Sequence, residues 1–327
     1  MMYRMGELLA NSDEQIHQMV TTLEVALLCG GLVCMVLLLF LNRRWPPNVE
    51  ALNRQLSNRA LSGLEIYGIA QLYFLLLFIS MFTGRFFYEE QIPVAKLGIA
   101  LVVYTAVSLA IFINCWRNKT SLADGFGMGW RQLKFAGVAP FFYLAIVPAL
   151  LSTAYLLKLA GYELPLQDNA QQFVESNPTE RILFAVMAIV AAPFFEELLF
   201  RGMLFPAALK RLGLAASIVL TSCLFAMMHF SFPMLLLVFT PLTVLCVLAW
   251  SSNRMPLRIL GKAAFGSIFV VAVWFTYTGG SLHSFLSLNV LSIGVSLAYW
   301  RTGALWTSIA MHALFNAVSL YALNLAG

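Results

Sequence analysis

Long apolar stretches separated by short polar connectors form the main pattern of this chain. The stretches approach the roughly 20 residues that a helix needs to cross a bilayer. Because the apolar residues run continuously and do not alternate with polar ones, the pattern predicts helices and not a membrane barrel. The ten windows are 23–41, 66–83, 94–116, 135–157, 182–204, 215–230, 234–250, 263–278, 285–300 and 304–323.

Four of these windows are short or weakly apolar: 215–230, 234–250, 263–278 and 285–300. Each of them can re-enter the membrane from the same side or merge with a neighbour. The pattern therefore predicts an all-α integral membrane protein, a polytopic bundle of about 8–10 transmembrane helices.

The composition agrees with lipid as the solvent of this chain. Hydrophobic residues make up 61% of it and charged residues 11%, whereas an ordinary soluble chain carries about 25% charged residues. So few charges cannot cover a surface that faces water. With no internal repeat and no linker between folding units, the simplest organisation is a single integral membrane domain, residues 1–327.

The Lys and Arg residues predict the orientation of the helices. If the N-terminus lies outside, inner loops hold 14 of the 20 Lys and Arg, outer loops hold five, and Arg201 lies within a window. Such an excess marks cytoplasmic loops, and it explains the basic net charge without nucleic acid as a partner. We therefore predict a multi-pass protein of the cytoplasmic (inner) membrane of a bacterium, with its N-terminus outside. The inner set is Arg43, Arg44, Arg54, Arg59, Arg117, Lys119, Arg131, Lys134, Lys210, Arg211, Arg254, Arg258, Lys262 and Arg301.

Residues 196–201, Glu-Glu-Leu-Leu-Phe-Arg, place three ionisable side chains inside an apolar window. A charge at this depth is costly, so such residues usually face a polar cavity and serve chemistry or transport. On a helix, Glu197 and Arg201 are i,i+4 neighbours and can pair. Glu196 lies about 100° further around the helix and points elsewhere, which makes it a candidate general base. A buried structural ion network is the alternative.

Two further patterns place polar side chains in apolar windows. Phe225-x-x-x-His229 ends the window 215–230, and His312-x-x-x-Asn316 lies in the last window. His312 and Asn316 share a helix face one turn apart, so both can converge on one point. A single histidine in a membrane helix is also typical of a packing donor. A Glu and a His can also share the role of a base, and a His and an Asn can supply donors to a developing negative charge.

In this order, Glu-Glu-x-x-x-Arg, Phe-x-x-x-His and His-x-x-x-Asn resemble the CPBP family. This family contains the type II CAAX prenyl endopeptidases and the bacteriocin-processing or immunity (Abi) proteins. The resemblance places a CPBP/Abi-like catalytic core at residues 182–324. It implies an intramembrane endopeptidase that acts on a peptide or a lipidated protein in the membrane, with lipids as further partners.

The resemblance also implies a role for each motif residue. Glu196 and His229 would activate the hydrolytic water, and His312 and Asn316 would stabilise the oxyanion. The remaining motif residues would have a structural role and hold these four side chains in position. They are Glu197, Arg201 and Phe225.

The cofactor remains open between none and a divalent metal such as zinc. Glu196, His229 and His312 are suitable zinc ligands in the His₂Glu sense. No His-Glu-x-x-His motif occurs in the chain, so the usual helix of zinc proteases is missing. If these three side chains bound a metal, Glu197 would have to leave Arg201 to act as the base.

Two other functions also remain open. A catalytically inactive immunity or scaffold protein of the same fold would keep the polar cluster for packing. An ion- or proton-coupled transporter would use the two adjacent glutamates, but the first half of the chain offers no symmetric partner for them, as inverted repeats would.

Two segments fall outside the motifs. Residues 232–283 are longer than the family pattern and are predicted to pack peripherally. The glycine-rich residues 124–130 are predicted to form a flexible inner loop or an interfacial turn.

Overall fold

The computed structural model describes residues 2–59, 61–87, 93–165, 168–229, 249, 253–279 and 281–326. Over these ranges the regular secondary structure is helical, which confirms the predicted all-α polytopic class. In chain order the α-helices are α1 (Met2–Arg44), α2 (Val49–Ser57), α3 (Gly63–Phe87), α4 (Pro93–Arg117), α5 (Leu122–Phe126), α6 (Ala139–Leu159), α7 (Asp168–Glu175), α8 (Pro178–Val186), α9 (Ala192–Glu197), α10 (Phe205–Leu212), α11 (Leu214–Met227), α12 (Met255–Thr278), α13 (Leu282–Thr302) and α14 (Leu305–Ala326). A 3₁₀ helix, Trp130–Val138, leads directly into α6.

Seven helical segments in the described ranges are long and apolar enough to cross a membrane, so the chain is an integral multi-pass membrane protein. They are Thr21–Arg44, Leu97–Arg117, Leu122–Leu159, Pro178–Leu212, Met255–Thr278, Leu282–Thr302 and Leu305–Leu325. Two shorter apolar helices, Glu65–Leu77 and Leu214–Met227, coincide with the predicted windows 66–83 and 215–230. The predicted window 234–250 lies outside the described residues, apart from residue 249.

The segment Pro178–Leu212, hereafter the motif helix, carries the two adjacent glutamates. It begins with a capping box, in which the Asn177 side chain accepts from the Glu180 backbone N–H and the Glu180 carboxylate accepts from that of Asn177, both at 3.0 Å. Pro178 takes the first helical position, where its missing N–H costs nothing. These polar residues start the helix before the predicted apolar window 182–204 begins.

Two π-helical segments interrupt the motif helix on either side of α9. They are Met187–Ala191 and Leu198–Leu204. A π turn contains about one residue more than an α turn, so it changes which side chains face the neighbouring helices, and such turns often occur at functional sites. Both Glu196 and Glu197 are buried between the two segments.

Helix α13 lies at the centre of the C-terminal half and packs against α6, α11, α12 and α14. It presents small residues at these contacts, which let neighbouring helices approach closely. At Gly294, an added Cβ would lie 2.5 Å from Cγ2 of Ile146. Helix α12 lies within residues 232–283, which were predicted to pack peripherally. It packs against α13 and leaves most of its side chains exposed, as peripheral packing requires.

Several predicted inner loops meet at one end of the bundle. Arg59 Nη1 donates to the Gly303 carbonyl (2.7 Å) and to the Tyr299 hydroxyl (3.2 Å). Gly127, with φ 69°, ends α5 so close to Gly303 that an added Cβ would overlap the Gly303 carbonyl oxygen. Phe126 is buried beneath Gly202 of the motif helix. Residues 124–126 thus form the end of α5 and Gly127 caps it, so this part of the glycine-rich segment is packed and is not a flexible loop.

Candidate active site

The three sequence motifs converge inside the bundle. Glu196 comes from α9, His229 follows the end of α11, and His312 lies on α14. The Nε2 atoms of His229 and His312 lie 3.6 Å and 3.9 Å from the same carboxylate oxygen, Oε2 of Glu196. The carboxylate and the His312 side chain are almost completely buried, whereas the His229 side chain is 22% exposed. Two imidazoles from separate segments of the chain thus approach the same oxygen of one buried carboxylate.

Glu197 and Arg201 form the predicted i,i+4 pair, and both side chains are fully buried. Arg201 Nη1 donates to Glu197 Oε1 at 2.8 Å, and Nη2 donates to the hydroxyl and the carbonyl oxygen of Ser292, at 2.7 Å and 3.0 Å. The same Glu197 oxygen accepts from Nδ1 of His312 at 3.0 Å. The pair therefore connects the motif helix to both α13 and α14.

These contacts determine which ring nitrogen of each histidine carries the proton. His229 Nδ1 lies 2.8 Å from the Phe225 carbonyl oxygen, and His312 Nδ1 lies 3.0 Å from the Glu197 carboxylate. Both partners are acceptors, so both Nδ1 atoms are donors and, in the neutral rings, both Nε2 atoms carry lone pairs. Three acceptor atoms then face one another, an arrangement that suits a shared proton or a water that donates two hydrogens.

Phe225 holds the two imidazoles in place. Its ring is fully buried and lies 4.7 Å from the His229 ring and 5.5 Å from the His312 ring, measured between centroids. The Arg201 guanidinium lies over the same ring at 4.9 Å, within the range of a cation–π contact. The aromatic residue of the Phe-x-x-x-His motif therefore supports both histidines and the buried arginine.

Asn316 lies one turn after His312, as predicted, but its recorded hydrogen bond is to the motif helix. Its Nδ2 donates to the Ala188 carbonyl oxygen at 2.6 Å, within the first π-helical segment. In the described part of the chain, no hydrogen bond joins Asn316 to Glu196, His229 or His312. The structure brings the acid and the two histidines together and places the amide on the adjacent turn.

Two side chains of the site were not singled out from the sequence. Ser292 on α13 accepts from Arg201, and the Tyr104 hydroxyl on α4 lies close to the Glu196 carboxylate. Both helices carry several other serine, threonine or asparagine side chains, and neither residue belongs to a motif. No local signal separates them from other serines and tyrosines in membrane helices.

A resident metal ion is not assigned to this site. A carboxylate and two imidazoles are suitable zinc ligands in kind. Across the described residues, however, no group of three His, Cys, Asp or Glu side chains is placed to hold a metal. Glu197, the other carboxylate of the site, is bound to Arg201 and His312. We therefore derive no step through a metal.

Comparison with known protein families gives a match to part of the chain. Residues 178–265 match the family described as type II CAAX prenyl endopeptidase Rce1-like. The match includes the first two motifs, through His229, and the third motif lies beyond it. No curated protein and no solved structure matches the chain. The match confirms the predicted resemblance to the CPBP family of CAAX proteases over these residues.

Proposed function

We propose that this protein is an intramembrane endopeptidase that hydrolyses a peptide bond of a membrane-associated substrate. The observation that carries the proposal is the approach of two imidazole nitrogens to one buried carboxylate oxygen, at 3.6 Å for His229 and 3.9 Å for His312. Ionisable side chains inside membrane-spanning segments cost free energy, and those that occur there usually serve chemistry or transport. The CAAX endopeptidase match over residues 178–265 supports the same reaction class.

In the proposed reaction, Glu196 and His229 activate a water molecule. The His229 Nε2 lone pair accepts one hydrogen of the water, and the Glu196 carboxylate removes the other as the water oxygen bonds to the peptide carbonyl carbon. Glu196 then passes this proton to the leaving nitrogen as the C–N bond breaks. The carboxylate is regenerated, and no outside reagent is needed. General base catalysis of this kind contributes about 10²- to 10⁴-fold to the rate.

We assign His312 and Asn316 to the oxyanion that forms on the carbonyl oxygen. His312 enters the reaction with a second proton, which it takes from the aqueous medium and keeps through the cycle. Its Nε2 is then a donor, and the Glu197 carboxylate next to its Nδ1 compensates the charge. Asn316 has two amide hydrogens, of which one reaches Ala188, and the second serves the oxyanion. Arg201 supports this arrangement indirectly by holding Glu197.

We further propose one integral membrane domain, residues 1–327, with the catalytic core at 182–324. The N-terminus is placed outside the cytoplasmic (inner) membrane of a bacterium, from the distribution of Lys and Arg. The substrate is a peptide or a lipidated protein that reaches the site from the membrane. The reaction is proposed without a metal, so a chelator is expected to leave cleavage unchanged.

The test uses the full chain, purified in detergent and supplied with a library of membrane peptides. Wild type is expected to cleave. Glu196→Gln, which removes the carboxylate and keeps its shape, is expected to lower cleavage to background, as are His229→Ala and His312→Ala. Glu163→Gln, in an exposed loop, is the matched control and should retain full activity.

Equal cleavage by all variants would show that the three motifs do not carry the reaction. A folded wild type that cleaves no peptide would favour the inactive immunity or scaffold protein. A metal that copurifies and whose removal abolishes cleavage would replace the metal-free mechanism.

A further inference from the structure

Helix α4 reaches the site from outside both the motifs and the matched segment. Its Tyr104 ring stacks on Phe195, with ring centroids 4.3 Å apart and planes 15° apart. Phe195 directly precedes Glu196 and is fully buried, and Tyr73 of α3 packs against the same ring at 5.3 Å. The stack leaves the Tyr104 ring little freedom, and the hydroxyl of the same ring lies close to the Glu196 carboxylate.

The tyrosine supplies a hydrogen-bond donor that does not depend on the protonation of either histidine. In their neutral forms the Nε2 atoms of His229 and His312 are acceptors, as is the ionised Glu196 carboxylate that they face. A buried carboxylate is costly unless donors satisfy it. The phenolic O–H is a donor that comes from a different side chain and a different helix. It can hold the carboxylate without occupying either imidazole.

We propose that Tyr104 is a positioning residue for Glu196. Its hydroxyl donates to the carboxylate and fixes the side-chain rotation that turns Oε2 toward the histidines. This inference rests on the proposed role of Glu196 as the base. It also means that the core at 182–324 is incomplete alone, because a helix of the N-terminal half orients its acid.

The first experiment compares Tyr104→Phe with wild type, using the peptide that wild type cleaves best. Phenylalanine retains the stack on Phe195 and removes only the hydroxyl. We expect kcat to fall about ten- to hundredfold, as for the loss of one hydrogen bond to a charged group, with KM unchanged. Tyr143→Phe is the matched control: Tyr143 is a buried tyrosine of α6 for which no interaction with Glu196 is recorded in the described part of the chain. Its kcat should equal that of wild type.

The second experiment does not require activity. 3-Fluorotyrosine is placed at position 104, and its ¹⁹F resonance is recorded in the otherwise wild-type chain and in Glu196→Gln. We expect the resonance to move, whereas a label at position 143 should not respond to Glu196→Gln.

The outcomes separate this inference from the proposed function. The inference is overturned if the ¹⁹F resonance at position 104 is the same in wild type and in Glu196→Gln. It is also overturned if Tyr104→Phe has the kcat of wild type. If wild type cleaves nothing, the proposed function fails and the fluorine measurement alone decides whether Tyr104 holds Glu196.

Discussion

Two Glu–Arg pairs with the same spacing lie in opposite environments. Glu50–Arg54 in α2 and Glu197–Arg201 in the motif helix both join residues i and i+4, with a nitrogen–oxygen distance of 2.8 Å in each. The side chains of the first pair are 83% and 72% exposed, and those of the second are fully buried. Water screens the first pair and not the second, so the same local pattern has very different energetic consequences.

The partners of the buried pair explain its different role. Arg201 also donates to Ser292, and Glu197 also accepts from His312. The exposed pair supports one turn of a short surface helix, whereas the buried pair connects three helices and orients a histidine of the candidate site. Burial and tertiary contacts, and not spacing, separate a minor surface contact from a part of the site.

Arg201→Met should give the largest effect in this comparison. It leaves the Glu197 carboxylate buried without its cation, so the free energy of unfolding should fall by about 3–5 kcal/mol. Denaturant unfolding in detergent micelles measures this change. Arg54→Met is the control and should cost about 1 kcal/mol or less. Equal losses for the two variants would mean that burial does not distinguish the pairs.

A double-mutant cycle should sharpen the same contrast. Adding Glu197→Gln to Arg201→Met removes the unpaired charge, so part of the lost stability should return, with a coupling energy of about 1–3 kcal/mol. The same cycle at Glu50 and Arg54 should give about 0.5 kcal/mol or less. Additive effects at the buried pair would contradict a direct interaction between its two side chains.

Gly202→Ala extends the comparison from charge to packing. An added Cβ would lie 2.9 Å from Cδ1 of Phe126, whereas at Gly266 in the exposed helix α12 nothing lies within 4 Å. Overpacking should therefore cost about 1–3 kcal/mol at position 202. Gly266→Ala, the control, should be neutral or stabilise α12 by up to about 1 kcal/mol. If Gly202→Ala left the free energy of unfolding unchanged, the segment that holds Phe126 would be able to move away from position 202 at little cost.

Salt should give the smallest effect. Raising the ionic strength from about 0.1 M to 1 M shortens the screening length from about 10 Å to 3 Å. The cost of Arg54→Met should then shrink by a few tenths of a kcal/mol, because exposed pairs are screened. The cost of Arg201→Met should not change in the same unfolding titrations. A salt-sensitive Arg201 would indicate that water reaches the buried pair.

Much of the fold was predictable because spanning helices depend on a local property. About 20 consecutive apolar residues suffice for a span, and nine of the ten predicted windows lie on described helices. The helix ends were less predictable, because caps and not apolar content set them. The motif helix starts at the Asn177 capping box, in sequence that reads as a polar loop.

The site was predictable only where one helix contains the whole pattern. The Glu197–Arg201 pair follows from i,i+4 spacing, and the structure contains it. The contact of His312 with Glu197 and the contact of Arg201 with Ser292 join residues about 90 to 115 positions apart. Helical periodicity states which side chains share a face, but not which faces meet.

The sequence by itself determined that lipid surrounds the protein, that its fold is helical and which polar side chains are candidates for the site. Each of these depends on residue type or on spacing within one helix. The tertiary structure alone decided that Glu196 faces two imidazoles, that Glu197 orients His312 and that Tyr104 stacks on the residue before the acid. These contacts arise when separate helices pack, with small residues of α13 and two π-helical segments setting the distances and rotations.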